Sequence, residues 1–212
     1  FQAEDGIRDF CLSRGLGDVY KRQVVVGMGE SPVRGVMTSS GDGVYKSLDA
    51  GETWEHIGLE NTKHISQVRI HPKDPDIMYV AAQGSPYAST DERGVYMTTD
   101  GGENWEKVLY INGFSGVSDL SMDYNNPRVL YAAFWDHQRL PWYVRSGGKG
   151  SGIWKTIDGG KTWKRINRDH KLRQRGWYYS HINADPVNEN IIYASNTGFY
   201  KSVDGGKNFD ER

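Results

Sequence analysis

Hydrophobic and polar positions along this chain fall into short alternating runs, not helical stripes. Three blocks read alike: VRIHPKDPDIMYVAA from Val68, LSMDYNNPRVLYAAF from Leu120 and INADPVNENIIYASN from Ile182. Each predicts a short strand, a polar turn with Pro, Asn or Asp, and a second strand rich in β-branched and aromatic residues. Four further segments align: GVYKSLDAGETWEHI from Gly43, GVYMTTDGGENWEKV from Gly94, GIWKTIDGGKTWKRI from Gly152 and GFYKSVDGGKNFDER from Gly198. Their aspartates, Asp49, Asp100, Asp158 and Asp204, are 51, 58 and 46 residues apart. That spacing is in or slightly above the range of one propeller blade, about 40–50 residues.

One unit is therefore four strands. In the second unit they are expected near 65–70, 77–82, 94–99 and 105–110. Short turns join them, so each sheet should be an antiparallel meander. A lone meander buries only one face, and stacking such sheets radially buries both. The predicted fold is all-β: a partial β-propeller of about three and a half blades, near 24–60, 64–111, 117–168 and 179–212, with an open solenoid of the same units as the alternative. Val24–Glu30 (VVVGMGE) reads as the second strand of a first blade that lacks its opening strand. The last unit stops just past its aromatic, and the rest of the propeller is expected elsewhere in a longer protein.

The turn chemistry explains the repeated residues. Glycine takes positive φ at no steric cost. The Asp carboxylate can accept backbone N–H groups across the turn, and the Ser or Thr two residues earlier adds a hydroxyl bond. The aromatics Trp54, Trp105, Trp163 and Phe209 are expected to pack under their turns.

The pattern Ser/Thr-x-Asp-x-Gly-x-Thr/Asn-Trp/Phe resembles the Asp-box of bacterial neuraminidase-type (BNR) repeats, which sialidases, xyloglucan-active propeller glycosidases and sortilin-type receptors carry. GDGVYKSLDAGETW, HISQVRIHPKDPDIMYVAAQG, ERGVYMTTDGGENWEKVLY, VLYAAFWDHQRLPWYVRSGGKGSGIWKT and GFYKSVDGGKNF extend the likeness over 24–212 to large bacterial proteins of the sortilin-N-terminal-like type. The resemblance implies a secreted, periplasmic or cell-surface protein several times longer than this chain, with its Asp-boxes as rim turns away from any active centre. It nominates no catalytic residue.

The opening segment FQAEDGIRDFCLSRGLGDVYKRQ, residues 1–23, has no counterpart in the repeats and carries the only cysteine, Cys11. It resembles translated read-through of a sequencing adapter, a string found at the ends of metagenome-derived proteins, and is expected to be non-native. Charge is nearly balanced, 26 Lys and Arg against 27 Asp and Glu, which argues against a nucleic-acid partner. No apolar run approaches the ~20 residues of a membrane span. Glycine at 26 suits many tight turns.

Chemistry on a propeller lives in its loops. Three stand out: 84–93 (GSPYASTDER), 135–151 (WDHQRLPWYVRSGGKGS) and 167–179 (NRDHKLRQRGWYY). The first two follow the second strand of their blades and should share one face; the third can reach either. Trp135, Arg139, Trp142, Tyr143 and Arg145 are the candidate ligand-binding residues, because aromatic faces stack on sugar rings and Arg forks grip carboxylates. The competing reading is that the aromatics cover the neighbouring blade and the arginines pair with nearby acids. A glycosidase needs two carboxylates flanking the scissile bond. Asp91, Glu92, Asp119, Asp136 and Asp169 are available in or beside these loops, but no spacing pairs two of them. No zinc, phosphate-loop or nucleophile-elbow spacing appears, so no catalytic residue, metal or cofactor is assigned. The expected function is a protein- or glycan-binding scaffold module. The rival is a piece of a propeller glycoside hydrolase with acids partly in other blades.

Overall fold

The computed structural model describes residues 22–30, 38–174, 176 and 180–212. The adapter-like stretch thus lies outside the described residues up to Lys21, as do residues 31–37 and, in the third loop, 175 and 177–179. Among the described residues four antiparallel sheets follow one another along the chain. The first holds β1 (Val24–Gly27), β2 (Val44–Ser47) and β3 (Glu55–His56). The second holds β4 (Ile65–His71), β5 (Asp74–Ala82), β6 (Gly94–Thr98) and β7 (Glu106–Leu109) in chain order. The third holds β8 (Ser115–Met122), β9 (Leu130–Leu140), β11 (Gly152–Thr156) and β12 (Lys164–Asn167), with β10 (Tyr143–Ser146) on the far end of β9. The fourth holds β13 (His181–Ala184), β14 (Ile192–Ser195), β15 (Phe199–Ser202) and β16 (Asp210–Glu211). This is the partial propeller that the repeat predicts.

The sheets stack face to face, and one apolar cluster fills each of the three gaps. Val25, Val44 and Ile57 of the first sheet meet Val68, Met78, Val80 and Tyr96 of the second. Tyr79, Ala81 and Val95 then meet Leu120, Leu130 and Ala132 of the third. Tyr131 and Ile153 meet Ile182, Ile192 and Tyr200 of the fourth. Alternation sends neighbouring residues, such as Tyr79 and Val80, into opposite gaps, and a bulge between Val117 and Asp119 resets it on β8. The innermost strands are also tied side by side. Ser66 on β4 donates to the Val117 carbonyl on β8 at 2.6 Å. On β13, the Ile182 and Ala184 amides donate to Asp119 Oδ2 (2.8 Å) and Ser121 Oγ (2.9 Å) of β8.

The four Asp-box turns share one hydrogen-bond plan. In the second blade Thr98 Oγ1 donates to Asp100 at 2.6 Å and accepts from the Gly102 amide at 3.1 Å. Asp100 also accepts from the Asn104 amide at 2.9 Å and from its side chain at 2.8 Å. Asp49, Asp158 and Asp204 repeat this with Ser47 and Thr53, Thr156 and Thr162, and Ser202 and Asn208. These bonds to the charged form hold all four carboxyls below their ordinary range, Asp158 and Asp204 at about 2. The residue after each Asp lies in the left-handed region: Ala50 at φ 66°, against 74°, 75° and 73° for Gly101, Gly159 and Gly205.

The aromatics do not all behave as the turn alone suggests. Trp54 and Trp163 donate back to a glycine carbonyl of their own turn, Gly51 and Gly160, each at 3.0 Å. Trp54 nonetheless keeps 45% of its surface exposed. Trp105 crosses to the preceding blade and donates to the Ile57 carbonyl at 2.6 Å. Phe209 has no N–H to place and is buried in the third gap.

The turns of the second, third and fourth blades are moreover seated on the blade before them. Lys46 Nζ donates to the Gly101 carbonyl at 2.8 Å, and the Tyr79 hydroxyl donates to the Gly159 carbonyl at 3.0 Å. The second turn glycine lies on an aliphatic side chain of the preceding outer strand or its continuation. A Cβ at Gly102 would come within 2.6 Å of Ile57, and one at Gly206 within 2.5 Å of Ile166. At Gly160 it would lie 3.3 Å from Tyr79 and 3.7 Å from Val108.

Candidate functional site

Because β9 runs from Leu130 beside Thr156 to Leu140, its far end lies opposite the Asp-box turns. The other insertions gather at this same end. The Arg139 amide donates to the Pro86 carbonyl at 2.7 Å, the Thr90 amide to the Gly113 carbonyl at 3.0 Å, and Arg173 to the Gly148 carbonyl at 3.3 Å. The connection after β12 opens as a 3-10 helix, His170–Arg173, capped by Asp169. It reaches the same face as the other two.

A buried arginine organises this face. Arg93 is fully buried and donates to the carbonyls of Phe114 (3.0 Å) and Ser85 (2.5 Å). Its guanidinium also meets the ring of His137, 3.1 Å from Nδ1 and 3.3 Å from Nε2. Arg has only donors. His137 Nδ1 also lies 3.1 Å from the Trp135 carbonyl, which ties the ring to its own strand. The imidazole is neutral: burial, then the adjacent Arg93, pushes His137 down to about 3. Burial likewise lowers Arg93 to about 10. This anchor joins the loops after β5, before β8 and in β9. Sequence reasoning missed it, because Arg93 and His137 are 44 residues apart with no motif linking them. The only local signal was an arginine immediately before the Gly-apolar-aromatic strand.

The structure separates the five candidate residues. Residues 135–151 form an extended hairpin, not an open loop: Leu140 pairs with Tyr143 around a Pro141–Trp142 turn. Proline with its fixed φ suits the first central position of such a turn. Trp142 stands at the tip with 82% of its surface exposed, and Tyr143 beside it is about half exposed. Arg139 is half-buried on β9. Trp135 is buried, stacked on His137 at 4.3 Å between ring centroids, with its indole N–H on Ser146 Oγ. It belongs to the wall beneath the loop. Arg145 is engaged at 2.7 Å by Asp136, and its guanidinium lies 4.5 Å over the Phe114 ring. It is thus occupied internally.

The loop acids also divide. Asp136 and Asp119 are buried. Asp119 accepts the Leu120 and Ile182 amides, both at 2.8 Å, and lies 3.4 Å from His181. It is a strand-to-strand tie. Glu92 is half-buried beside the Tyr96 hydroxyl. Asp91 and Asp169 are exposed, with Asp91 accepting the Tyr110 hydroxyl at 2.6 Å. Among the described residues no three His, Cys, Asp or Glu come together as a metal set.

Between the third and fourth blades lies a small cavity of about 30 Å³, room for little more than a water molecule. Phe134, Trp135, Ile153 and Leu172 give it a mainly apolar lining, with Asn167 and Arg173 among its polar neighbours.

Comparison with known proteins agrees with this architecture. Residues 96–107 match the BNR/Asp-box repeat. A xyloglucanase of Hypocrea jecorina is 28% identical over 181 residues, covering 76% of this chain and 19% of that protein. Xyloglucanase Xgh74A of Acetivibrio thermocellus is 26% identical over 138 residues, 58% of this chain and 15% of that protein. The chain spans under a fifth of the length of the curated relatives it matches. Among solved structures, the Niastella koreensis GH74 enzyme superposes with a TM-score of 0.62 at 18% identity, over 90% of this chain and 27% of that one. This chain is thus a partial propeller of BNR/Asp-box repeats, similar in sequence to xyloglucanases.

Proposed function

We propose that this chain is part of a propeller glycoside hydrolase and that its loop face holds a β-glucan chain of the xyloglucan type. The observation that carries the reading is the loop face itself. The described parts of all three insertions meet there, and an exposed Trp142 stands at the hairpin tip beside the half-exposed Tyr143. The names of the curated relatives support the substrate class. A glycosidase needs a protonated acid and a second carboxylate across the bond. Asp91 and Asp169 are the exposed acids among those weighed, and the reading places at least one catalytic acid on another part of the complete propeller. An exported location goes with this reading, since polysaccharides of that size do not enter cells.

A second reading follows from Asp119 and Asp136, both buried and committed to structural partners. It is a non-catalytic glycan- or protein-binding module of the sortilin-like kind. The complete gene product assayed on xyloglucan separates the two. Release of reducing ends, lost on changing one loop carboxylate, supports the hydrolase. Binding without turnover across a panel of polysaccharides supports the module.

A further inference from the structure

The outer strands of the first three blades occupy the same place in the repeat but carry opposite charge. In the first blade, residues 52–64 hold Glu52, Glu55 and Glu60 against Lys63. In the second, residues 103–115 hold Glu103 and Glu106 against Lys107. In the third the sign reverses: residues 161–173 hold six Lys and Arg against Asp169. The reversal works against the fold. Lys46 faces Glu55 across the first sheet and Lys201 faces Asp210 across the fourth, but Lys155 faces Lys164 across the third. Like charges directly opposite on a sheet are destabilising. A scaffold that closes with acids at this place does not itself require cations there.

Folding concentrates the charge further. Arg165 lies 5.7 Å over the Trp154 ring and donates to the Lys149 carbonyl at 2.7 Å. Arg173 donates to the neighbouring Gly148 carbonyl, and its Nε is buried without a hydrogen-bond partner. Arg165 and Arg168 flank one glycine: a Cβ at Gly152 would lie 3.2 Å from Arg165 Cδ and 3.5 Å from Arg168 Cα. Burial, and then Arg165, pushes Arg173 down, with Arg168 adding to it and Asp169 and Asp136 opposing. Those two acids are already engaged, by Lys171 at 3.6 Å and by Arg145 at 2.7 Å. Lys149, Lys164, Arg165 and Arg168 are exposed, and among the described residues none of them lies in ion-pair range of a carboxylate.

We infer that this edge of the third blade, marked by Lys149, Lys164, Arg165 and Arg168, binds the carboxylates of an acidic, uronate-containing polysaccharide. The assignment rests on the reading that the loop face holds a glycan, and it extends the ligand class to glycans that carry charge. Lys149 and Gly148 belong to the insertion that presents Trp142, so the cations adjoin the aromatic tip's own hairpin. Arg forks match carboxylates, and two of the arginines are held in place before a ligand arrives. A long nucleic acid is disfavoured, because the acidic outer strands of the first two blades repel a polyanion laid across the molecule.

The test is retardation of the 212-residue chain in gels containing polygalacturonate, its methyl ester, xyloglucan or duplex DNA. Polygalacturonate is expected to retard the chain and its uncharged methyl ester far less. Arg165→Gln with Arg168→Gln should weaken polygalacturonate binding on the order of tenfold, the scale of a charged hydrogen bond, and leave xyloglucan retardation unchanged. Lys149→Gln with Arg168→Gln serves as the second variant if the loss of Arg165 from Trp154 disturbs folding. Lys164→Glu should weaken polygalacturonate binding yet raise the urea midpoint, an opposition that a purely structural charge would not produce. Equal retardation by polygalacturonate and its ester, or of the parent chain and both double variants, overturns the assignment. So does equal affinity for DNA at matched charge, which marks an unselective cationic surface. Retardation by xyloglucan with none by polygalacturonate overturns it while the loop-face reading stands; the converse supports it and removes the neutral chain from that reading.

Discussion

Lys46 Nζ reaches across the first inter-blade gap to the carbonyl of Gly101, 2.8 Å away and 55 residues along the chain. The Asp-box is usually read as a local turn, and its internal bonds are local. Its glycines, however, serve the neighbouring blade. The backbone they expose accepts a donor from the preceding sheet, and the missing side chain lets the sheets close to contact. The repeat is thus a joint between units as well as a turn within one.

The Tyr79–Gly159 bond tests that role. Tyr79 is buried and its hydroxyl donates across the second gap at 3.0 Å. Tyr79→Phe keeps the ring and removes the bond, so a loss of about 1–2 kcal/mol is expected in urea unfolding. Tyr193→Phe removes a hydroxyl bonded to Asp185 within its own blade, at the open face, and should lose less. Equal losses would show that the inter-blade bond has no special weight.

Ala50 predicts a gain. It sits at φ 66° where the other three turns have glycine. A left-handed L-residue is strained by roughly 1–2 kcal/mol, whereas glycine in its place loses roughly 0.4–1 kcal/mol through the freer unfolded chain. The balance favours Ala50→Gly by about 0.5–1 kcal/mol, readable as a raised urea midpoint. Its amide donates to the Arg22 carbonyl at 2.8 Å, a backbone bond that the change preserves.

Acid should weaken the fold in two stages. His137 is held neutral down to about 3, whereas an unfolded imidazole takes up its proton near 6.5. The unfolded state therefore binds more protons as pH falls from 6.5 towards 3, and stability falls with it. The turn carboxylates act in the same direction further down. Asp158 and Asp204 at about 2 against an ordinary 3.8 lose their contribution between about pH 4 and 2. His137→Gln retains an acceptor for Arg93 and should flatten stability between pH 6.5 and 4, leaving the lower limb in place. An unchanged slope in that window would remove His137 from the account.

Much of the fold was legible because its signals are local. Asp100, Thr98, Asn104 and the two glycines between them define their turn within seven residues, and strand alternation named the faces. What escaped were partners set by stacking. Trp105 was expected under its own turn and instead bonds to Ile57, 48 residues earlier. The candidate site was legible as a region but not residue by residue. Aromatic and basic residues in 135–151 have the same composition whether they face water or a neighbouring blade. The hairpin's alternation sends Trp135 inward onto His137 and turns Arg145 onto Asp136, while the Pro141–Trp142 turn leaves Trp142 in solvent.

The chain supplies its own control for the central claim, that ligand is held on the loop face and not on the Asp-box face. Trp142 and Trp54 are both exposed tryptophans, at opposite ends of the strands. Retardation of the 212-residue chain in gels containing xyloglucan should be weakened by Trp142→Ala by roughly 1–3 kcal/mol of binding, the scale of an aromatic stacking contact. Its melting temperature should not change. Trp54→Ala should leave retardation intact. Unchanged retardation in Trp142→Ala together with loss in Trp54→Ala would contradict the account and move the binding surface to the Asp-box face.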